Sequence, residues 1–394
     1  MNDPKIYLAL DSCFALKRWV EPETWGPLIR DMGYTSVQVS TDNEFDPLYS
    51  TKEYREEWIR RTKKMSEETG LQVRSLYTGY QTYRTCGFCQ PVQSEVDKLI
   101  SGWVKPAIDI VGQFDCDMGF SLHCLTEKQM QDPEEYYRIH EKLYKIYSDI
   151  AAYGKEHGVQ PCMEAMYVPR QTPWTIQGTE DFLKKVYAID RNPMYTTVDV
   201  GHMIGQRKFR RPNVEQIRES INQADKKHAV CKIWLGPDKA YDVWKEAVDG
   251  KKSVEEAIDE INRIEDEYPF DFSTDTRDDD PYEWLKALGC YSPIMHLQQC
   301  TATTGGHRPF TPENNKTGII DGKKLLEAIA ESYQRNIEGM PPKTDRIVLG
   351  LELFTTNIDL PGEIIDNMTE TCQYWRQFIP EDGLSLSELL KRIS

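Results

Sequence analysis

The sequence lacks any apolar run that approaches the roughly 20 residues of a membrane-spanning helix. Its first residues, MNDPKIYLALDSC, also lack the basic segment and the long apolar segment that mark a secretory signal. These two absences predict a cytoplasmic protein without a membrane partner.

The chain also lacks an excess of positive charge. Its 394 residues include 48 Lys and Arg against 64 Asp and Glu, which gives a net charge of −16. A surface this acidic repels phosphate backbones, so we expect no nucleic-acid partner for the surface as a whole. The overall charge does not exclude a locally basic pocket.

Two motif classes are missing as well. The ten cysteines include one CxxC pair, Cys86 and Cys89, without a second pair or a nearby His pair, so we expect free thiols in a reducing compartment. No Gly-x-Gly-x-x-Gly follows the first predicted strand, which counts against a dinucleotide-binding fold.

Short apolar runs, bounded by Gly, Pro or polar residues, recur along the chain and predict eight strands. They are Ile6–Leu10, Ser36–Val39, Val73–Tyr77, Met118–Leu122, Val159–Met163, Tyr195–Val198, Ile294–Leu297 and Ile347–Leu353. Amphipathic helical segments lie between most of them. The clearest is Pro133–His157, with Asp132 as a capping residue and Gly158 as a stop. This alternation predicts an α/β fold, a (β/α)₈ TIM barrel, instead of an open doubly wound sheet.

The interval between the sixth and seventh predicted strands is much longer than the others. Strand starts are mostly 30 to 45 residues apart, but 99 residues separate Tyr195 from Ile294. We interpret residues 205–289 as a surface insertion into a single domain of residues 1–394, ending in a solvated acidic loop at Asp271–Asp280. An insertion on the strand-to-helix side of a barrel sits over the active face, so this one could form a lid.

Polar residues at the carboxyl ends of four successive strands are the main functional signal. They are Glu164, Asp199, His296 and Glu352. The carboxyl ends of barrel strands meet at the active face, where a buried charge is costly unless it is paired or holds a metal. Any one of the four could simply be hydrogen-bonded or solvated, but the set indicates a metal site. Mixed carboxylate and imidazole ligation suits one divalent ion, Mn²⁺, Mg²⁺, Co²⁺ or Zn²⁺, and does not choose among them.

The motifs around these residues resemble the xylose isomerase-like TIM barrel superfamily, especially its sugar epimerase and isomerase branch, which includes ketose 3-epimerases. The resemblance is carried by MEAMY around Glu164, VDVGH at Asp199–His202, HLQQ at His296 and LGLELF around Glu352. The opening LDSCFA and the downstream segment GHRPFTPENNKTGIIDGKKLLEAI also look like this branch. Much of residues 205–289 remains unmatched.

The resemblance implies that Glu164, Asp199, His296 and Glu352 bind one divalent metal. In family members of this kind the metal holds two adjacent oxygens of a sugar, and two Glu residues exchange a carbon-bound proton through a metal-bound enediolate. We therefore expect an epimerase or isomerase of a small sugar or sugar derivative, phosphorylated and oxidised derivatives included. Glu164 and Glu352 would be its catalytic residues.

Five further residues are candidates for substrate binding: His202, His307, Arg308, Arg170 and His123. His202 resembles the family histidine that hydrogen-bonds a substrate oxygen, and His307 and Arg308 follow strand seven in a polar loop. Epimerases carry an Arg closer to the strand-seven histidine, so Arg308 is a departure from the pattern. Arg170 is a second departure, because an acidic residue is common there; its guanidinium suits a phosphate or carboxylate on the substrate. His123 ends strand four on the active face.

Three other functions stay open at this point. The same chemistry can expel a β-substituent, which would make the enzyme a metal-dependent lyase or dehydratase of a keto-sugar, keto-inositol or 3-oxo-glycoside. Related barrels include metal-dependent abasic-site endonucleases, but the net charge argues against a DNA substrate. A non-catalytic binding protein is the last alternative. Family members often associate, so we also expect a homo-oligomer, with the C-terminal segment Leu384–Ile393 packing on a neighbour.

Overall fold

The structure is a computed structural model that describes residues 3–16, 18–80, 87–122, 124–225 and 227–393. Within these ranges, no helix combines the length and the hydrophobicity that crossing a bilayer requires.

Eight parallel strands close into a barrel, because the first strand pairs with both the second and the eighth. The strands are β1 (Lys5–Asp11), β2 (Ser36–Ser40), β3 (Gln72–Thr78), β4 (Asp117–Phe120), β5 (Pro161–Glu164), β6 (Tyr195–Asp199), β7 (Ile294–Leu297) and β8 (Arg346–Leu351). The predicted (β/α)₈ fold is confirmed, and each predicted strand end lies within two residues of the observed one. The strands were readable as apolar runs because helices and the barrel interior bury both of their faces.

The α-helices follow the strands in the order expected of a barrel. They are α1 (Pro22–Asp31), α2 (Thr41–Glu44), α3 (Lys52–Thr69), α4 (Gln93–Leu99), α5 (Lys105–Val111), α6 (Glu127–Met130), α7 (Pro133–Glu156), α8 (Ile176–Asp190), α9 (Met203–Gln206), α10 (Val214–Asn222), α11 (Asp238–Val248), α12 (Val254–Glu267), α13 (Pro281–Leu288), α14 (Pro312–Asn315), α15 (Gly322–Gln334), α16 (Pro361–Arg376) and α17 (Leu386–Ile393). The predicted long helix is confirmed as α7. The Asp132 side chain caps it by accepting hydrogen bonds from the backbone N–H groups of Glu134 and Glu135.

A buried ion pair closes the amino-terminal end of the barrel. Arg346, at the start of β8, donates two hydrogen bonds of 2.8 Å to the fully buried carboxylate of Asp117, at the start of β4. These two strands lie on opposite sides of the barrel, so the bidentate pair crosses its interior. The opposite, carboxyl-terminal end is therefore the end that is open to a ligand.

The long segment between β6 and β7 carries the helices α9 to α13. Apolar residues of α10, α11 and α12 form a hydrophobic cluster distinct from the main core, and Phe270 packs against both. That the whole chain is one domain with an insertion at residues 205–289 stays a prediction. The expected solvated loop at Asp271–Asp280 is wrong in part, because Asp271 and Asp278 are buried. Asp278 accepts hydrogen bonds from the Ile176 N–H and the Ser273 hydroxyl, which offset its desolvation.

The C-terminal segment packs on the chain's own barrel. A two-residue strand, β9 (Leu384–Ser385), pairs antiparallel with β1, and Leu386 and Leu389 of α17 are buried in the main core. The sequence had led us to expect this segment to pack on a neighbouring subunit. Because Leu386 and Leu389 are buried in the chain's own core, these two side chains are not available for that contact.

Candidate metal centre

The barrel strands bring the four predicted ligands to one place. Glu164 and Asp199 are the last residues of β5 and β6, His296 lies in β7, and Glu352 directly follows β8. All four are buried, and one potential ligand atom from each lies within 4.8 Å of those of the other three. Because parallel strands point the same way around a barrel, residues far apart in sequence converge at its carboxyl-terminal mouth.

The imidazole of His296 lies at the centre of this group, which we call the acidic cluster (Glu164, Asp199, His296 and Glu352). Its Nδ1 atom is 3.2 Å from Glu164 Oε1, 3.3 Å from Glu352 Oε2 and 4.0 Å from Asp199 Oδ2. Nδ1 of His296 and three carboxylates therefore face the same point.

The acidic cluster has the chemistry of a divalent-cation site. Three carboxylates buried side by side repel one another, and burial removes the water that would screen them. Glu352 Oε2 is buried without a well-formed hydrogen bond, so one of its acceptor positions is unused. Three oxygen donors and one imidazole suit Mn²⁺, Mg²⁺, Co²⁺ or Zn²⁺, and a cation between them would relieve the repulsion. The residues thus fit the metal that the sequence motifs imply.

Without a cation, protons on the neighbouring histidines stabilise the carboxylates. Burial acts to raise the pKa of Glu352, but the charges of His296 and His307 outweigh it and hold that pKa well below its usual value. Burial acts to lower the pKa of His296, but Glu352 and Glu164 raise it well above the usual value for an imidazole. The metal-free site therefore keeps a proton on Nδ1 of His296, between the carboxylates, at neutral pH.

Two of the predicted substrate-binding residues lie beside the acidic cluster. His202 Nδ1 is 3.8 Å from Glu164 Oε1, and His202 Nε2 is 3.7 Å from Asp199 Oδ2. His307 Nδ1 is 3.2 Å from Glu352 Oε2, and its ring stacks on Phe354 with a centroid distance of 4.0 Å. Burial acts to lower the pKa of His307, but Glu352 raises it to about 9. His307 is thus a cation at neutral pH.

A cavity of about 570 Å³ opens over the acidic cluster. We call it the first cavity. Its wall combines aromatic rings, the two histidines and the loop that follows β7: Tyr77, Gly79, Tyr80, Glu164, Met166, Tyr167, Gly201, His202, Ile204, Gly205, Lys208, Gln298, Thr303, Thr304, Gly305, His307, Glu352 and Phe354. The volume suits a small polar molecule, and most of these side chains come from loops at the carboxyl ends of strands.

Arg170 and Arg308 do not line the first cavity. The half-exposed Arg170 side chain pairs with Glu127 at 3.3 Å and lines a second, neighbouring cavity. Arg308 pairs through its backbone with Gln299, and its Nη2 atom is buried without a hydrogen-bond partner. His123 lies outside the described residues, as does Cys86 of the CxxC pair. The substrate-binding roles of Arg170, Arg308 and His123 stay predictions.

Sequence reasoning missed a buried network behind His296. Asp11, the last residue of β1, accepts hydrogen bonds from the Gln38 amide, the Tyr80 hydroxyl and the Cys13 N–H. Gln38 Nε2 in turn lies 3.0 Å from His296 Nε2, the ring atom that faces away from the carboxylates. The carboxylate that ends the apolar run IYLALD was a usable signal for Asp11. Nothing in the sequence marks Gln38, because its contact with His296 depends on the curvature of the barrel.

Gln298 is a second residue that the sequence did not single out. Its amide donates to both carboxylate oxygens of Asp199, at 2.8 and 3.0 Å, and its carbonyl oxygen accepts from the His307 N–H. Gln298 therefore fixes Asp199 and ties it to the loop that carries His307.

Known proteins match the chain in sequence and in fold. A model of the family described as "Xylose isomerase-like TIM barrel" matches residues 27–239, just over half of the chain. The chain is 44% identical over 108 residues to D-erythrulose 1-phosphate 3-epimerase from Brucella abortus (strain 2308). That match covers 27% of this chain and 32% of the relative, so the chain spans about a third of the relative's length.

Solved structures share the fold at low sequence identity. A candidate xylose isomerase from Rhodospirillum rubrum ATCC 11170 superposes with a TM-score of 0.64 at 17% identity, covering 94% of this chain and 98% of that one. D-psicose 3-epimerase from Clostridium cellulolyticum H10 superposes with a TM-score of 0.51 at 13% identity, covering 98% of this chain and 94% of that one. D-allulose 3-epimerase from a Methylomonas species superposes with a TM-score of 0.53 at 13% identity, covering 96% of this chain and 99% of that one. At these identities the likeness concerns the barrel alone.

Metal binding should displace protons from the acidic cluster. A divalent ion and a proton compete for Nδ1 of His296, whose raised pKa keeps it protonated in the metal-free protein. We expect at least one proton to be released per ion bound at about pH 7, and an affinity that falls as the pH is lowered. Titration calorimetry with Mn²⁺ in two buffers of different ionisation enthalpy measures this number. Binding without proton release would show that His296 is not a ligand.

Removing the Gln38 amide should weaken metal binding, because the residues that contact the far edge of a ligand imidazole help to hold the ring in place. We expect Gln38→Leu to lower the affinity for Mn²⁺ by about tenfold or more, measured by competition with a chelating dye. Gln72→Leu, on the exposed end of β3, is the matched control and should bind Mn²⁺ like the unchanged protein. Equal affinities for the two variants would remove Gln38 from the site.

Proposed function

The chain belongs to the xylose isomerase-like TIM barrel family, and on that premise we propose that it is a divalent-metal-dependent epimerase or isomerase of a small sugar. The observation that carries the proposal is the convergence of four buried donor groups, three carboxylates and one imidazole, at the mouth of the barrel. Manganese as the metal and a cytoplasmic location stay predictions from the sequence.

In this proposal Glu164, Asp199, His296 and Glu352 hold the cation. When bound, a divalent cation supplies positive charge that stabilises the negative charge developing on a substrate oxygen as a neighbouring carbon loses its proton. Gln298 keeps Asp199 in place through two hydrogen bonds, and the Gln38 side chain lies against the far edge of the His296 ring. The chain's own side chains thus set the position and the orientation of the donors.

The two glutamates are suited to move the substrate proton. Burial acts to raise the pKa of Glu164 as well, but His202 and His296 lower it, so both glutamates are ionised and able to accept a proton. One removes a proton from the carbon next to the carbonyl and the other returns it on the opposite face, which gives epimerisation. Return of the proton to the adjacent carbon gives aldose–ketose isomerisation instead.

The rest of the first cavity binds and orients the sugar. His202 and the protonated His307 lie close enough to the glutamates to donate hydrogen bonds to substrate oxygens. Tyr77, Tyr167 and Phe354 offer ring faces and edges against the sugar carbons and exclude water. Lys208 brings a positive charge to the wall, which suits a phosphorylated substrate of the kind named for the Brucella relative.

Loss of the Glu352 carboxylate should stop proton transfer. With ketoses and ketose phosphates as substrates in deuterated water, we expect Glu352→Gln to slow exchange of carbon-bound hydrogen by about 100-fold or more. Metal content must be measured alongside, because the same residue is a proposed ligand. Glu338→Gln, on an exposed loop, is the control and should exchange normally.

Exchange at the normal rate in metal-loaded Glu352→Gln would contradict the proton-transfer role. The mass of the product separates the two reaction classes. In ordinary water, a product of unchanged mass supports epimerisation or isomerisation, whereas loss of water or of an aglycone would assign elimination instead.

A further inference from the structure

A second cavity of about 480 Å³ lies between the barrel mouth and the long segment between β6 and β7, which we call the inserted segment. From the barrel side it is lined by residues of the loops after β4 and β5, including Tyr167 and Gln171. From the inserted segment it is lined by Phe209, Trp234 and Asp271. Tyr167 also lines the first cavity, so the two cavities are neighbours. The proposed epimerase chemistry uses none of the residues that are specific to the second cavity.

Two largely buried side chains with polar ends face the second cavity. Asp271 is 3% exposed and Gln171 is 6% exposed. In the described part of the protein, neither the Asp271 carboxylate nor the Gln171 side-chain amide makes a hydrogen bond or an ion pair, although both line the cavity. Both polar groups line the cavity, so they can form hydrogen bonds with a molecule that enters it.

The charges around the second cavity exclude an anionic occupant. Arg170 is neutralised by Glu127 at 3.3 Å, and Asp271 adds a further carboxylate. Burial, with a smaller contribution from Glu127, raises the pKa of Asp271 to about 7. Among the described residues that line the cavity, a phosphate or carboxylate would therefore meet no unpaired positive charge and at least one acidic group.

The apolar part of the wall is aromatic and held in place. The Trp234 indole N–H donates to the backbone carbonyl of Asp271 at 2.7 Å, and the Phe209 and Trp234 rings contact each other with centroids 5.1 Å apart. Tyr167 packs against His202 at 4.8 Å. Rings fixed beside unpaired polar groups suit a ligand that has an apolar face and a hydroxylated edge.

We propose that the second cavity binds an uncharged sugar ring. Its hydroxyl groups would donate to the Asp271 carboxylate and exchange hydrogen bonds with the Gln171 amide, while its C–H face contacts the aromatic wall. The proposal extends the proposed function, since the ring is either a second unit of the substrate or a separate sugar. The site itself does not depend on the metal.

Binding to metal-free protein tests the second cavity separately from the metal chemistry. We would titrate metal-free protein with D-glucose and with methyl β-D-glucoside and follow each sugar by saturation-transfer NMR. We expect both sugars to bind, and Asp271→Asn and Gln171→Leu each to weaken binding by about tenfold or more. Asp259→Asn, on an exposed position of α12, is the control and should bind normally. Circular dichroism checks that each variant is folded.

Two sources of the sugar ring are separated with metal-loaded enzyme. If Asp271→Asn raises KM for a keto-glycoside substrate much more than for the matching ketose, the ring is part of the substrate. If the variant loses glucoside binding while the KM values for both substrates change equally, the ring is a separate ligand. Both results support the site.

Failure of both sugars to bind the metal-free protein would overturn the proposal. So would binding that Asp271→Asn and Gln171→Leu leave intact, or inorganic phosphate binding that Asp271→Asn strengthens. None of these results would affect hydrogen exchange in Glu352→Gln, so the two proposals fail independently.

Discussion

Mutual repulsion among buried carboxylates is the constraint on which this site depends. Glu164, Asp199 and Glu352 are buried at the barrel mouth with their oxygens within a few ångströms of one another. Such a group is tolerated when positive charge lies between its members or when a carboxyl group takes up a proton, and burial raises the pKa of Asp199 accordingly. In the metal-free protein, protons on His296 and His307 supply the positive charge. A divalent cation supplies more charge from one position, which is why the acidic cluster is suited to hold one.

Residues around the acidic cluster keep these donors in place from outside the cluster. Gln298 holds Asp199 from one side, and the Asp11–Gln38 pair contacts His296 from the side that faces away from the carboxylates. At the other end of the barrel, the Asp117–Arg346 pair closes the interior. The segment between β6 and β7 adds the outer wall of a second cavity and brings Asp271 into it.

The strands and the acidic cluster were predictable because each leaves a local trace in the sequence. A strand buried on both faces is an apolar run, and a charged residue at its end, such as Glu164 in MEAMY, stands out against that run. The parts that were not predictable depend on contacts between distant segments. Gln38 alternates with valines in an ordinary strand, and only barrel closure brings it to His296. For the acidic loop the sequence predicted exposure where the structure shows burial. Asp271 and Asp278 are buried by packing against distant parts of the chain, and no local sequence pattern indicates such packing.

The most direct test of the central claim is anomalous diffraction from a crystal soaked with Mn²⁺. The account predicts one Mn²⁺ peak at the barrel mouth, about 2.0–2.3 Å from one donor atom of each of Glu164, Asp199, His296 and Glu352. A peak that contacts other residues instead, or no peak at saturating Mn²⁺, would contradict it.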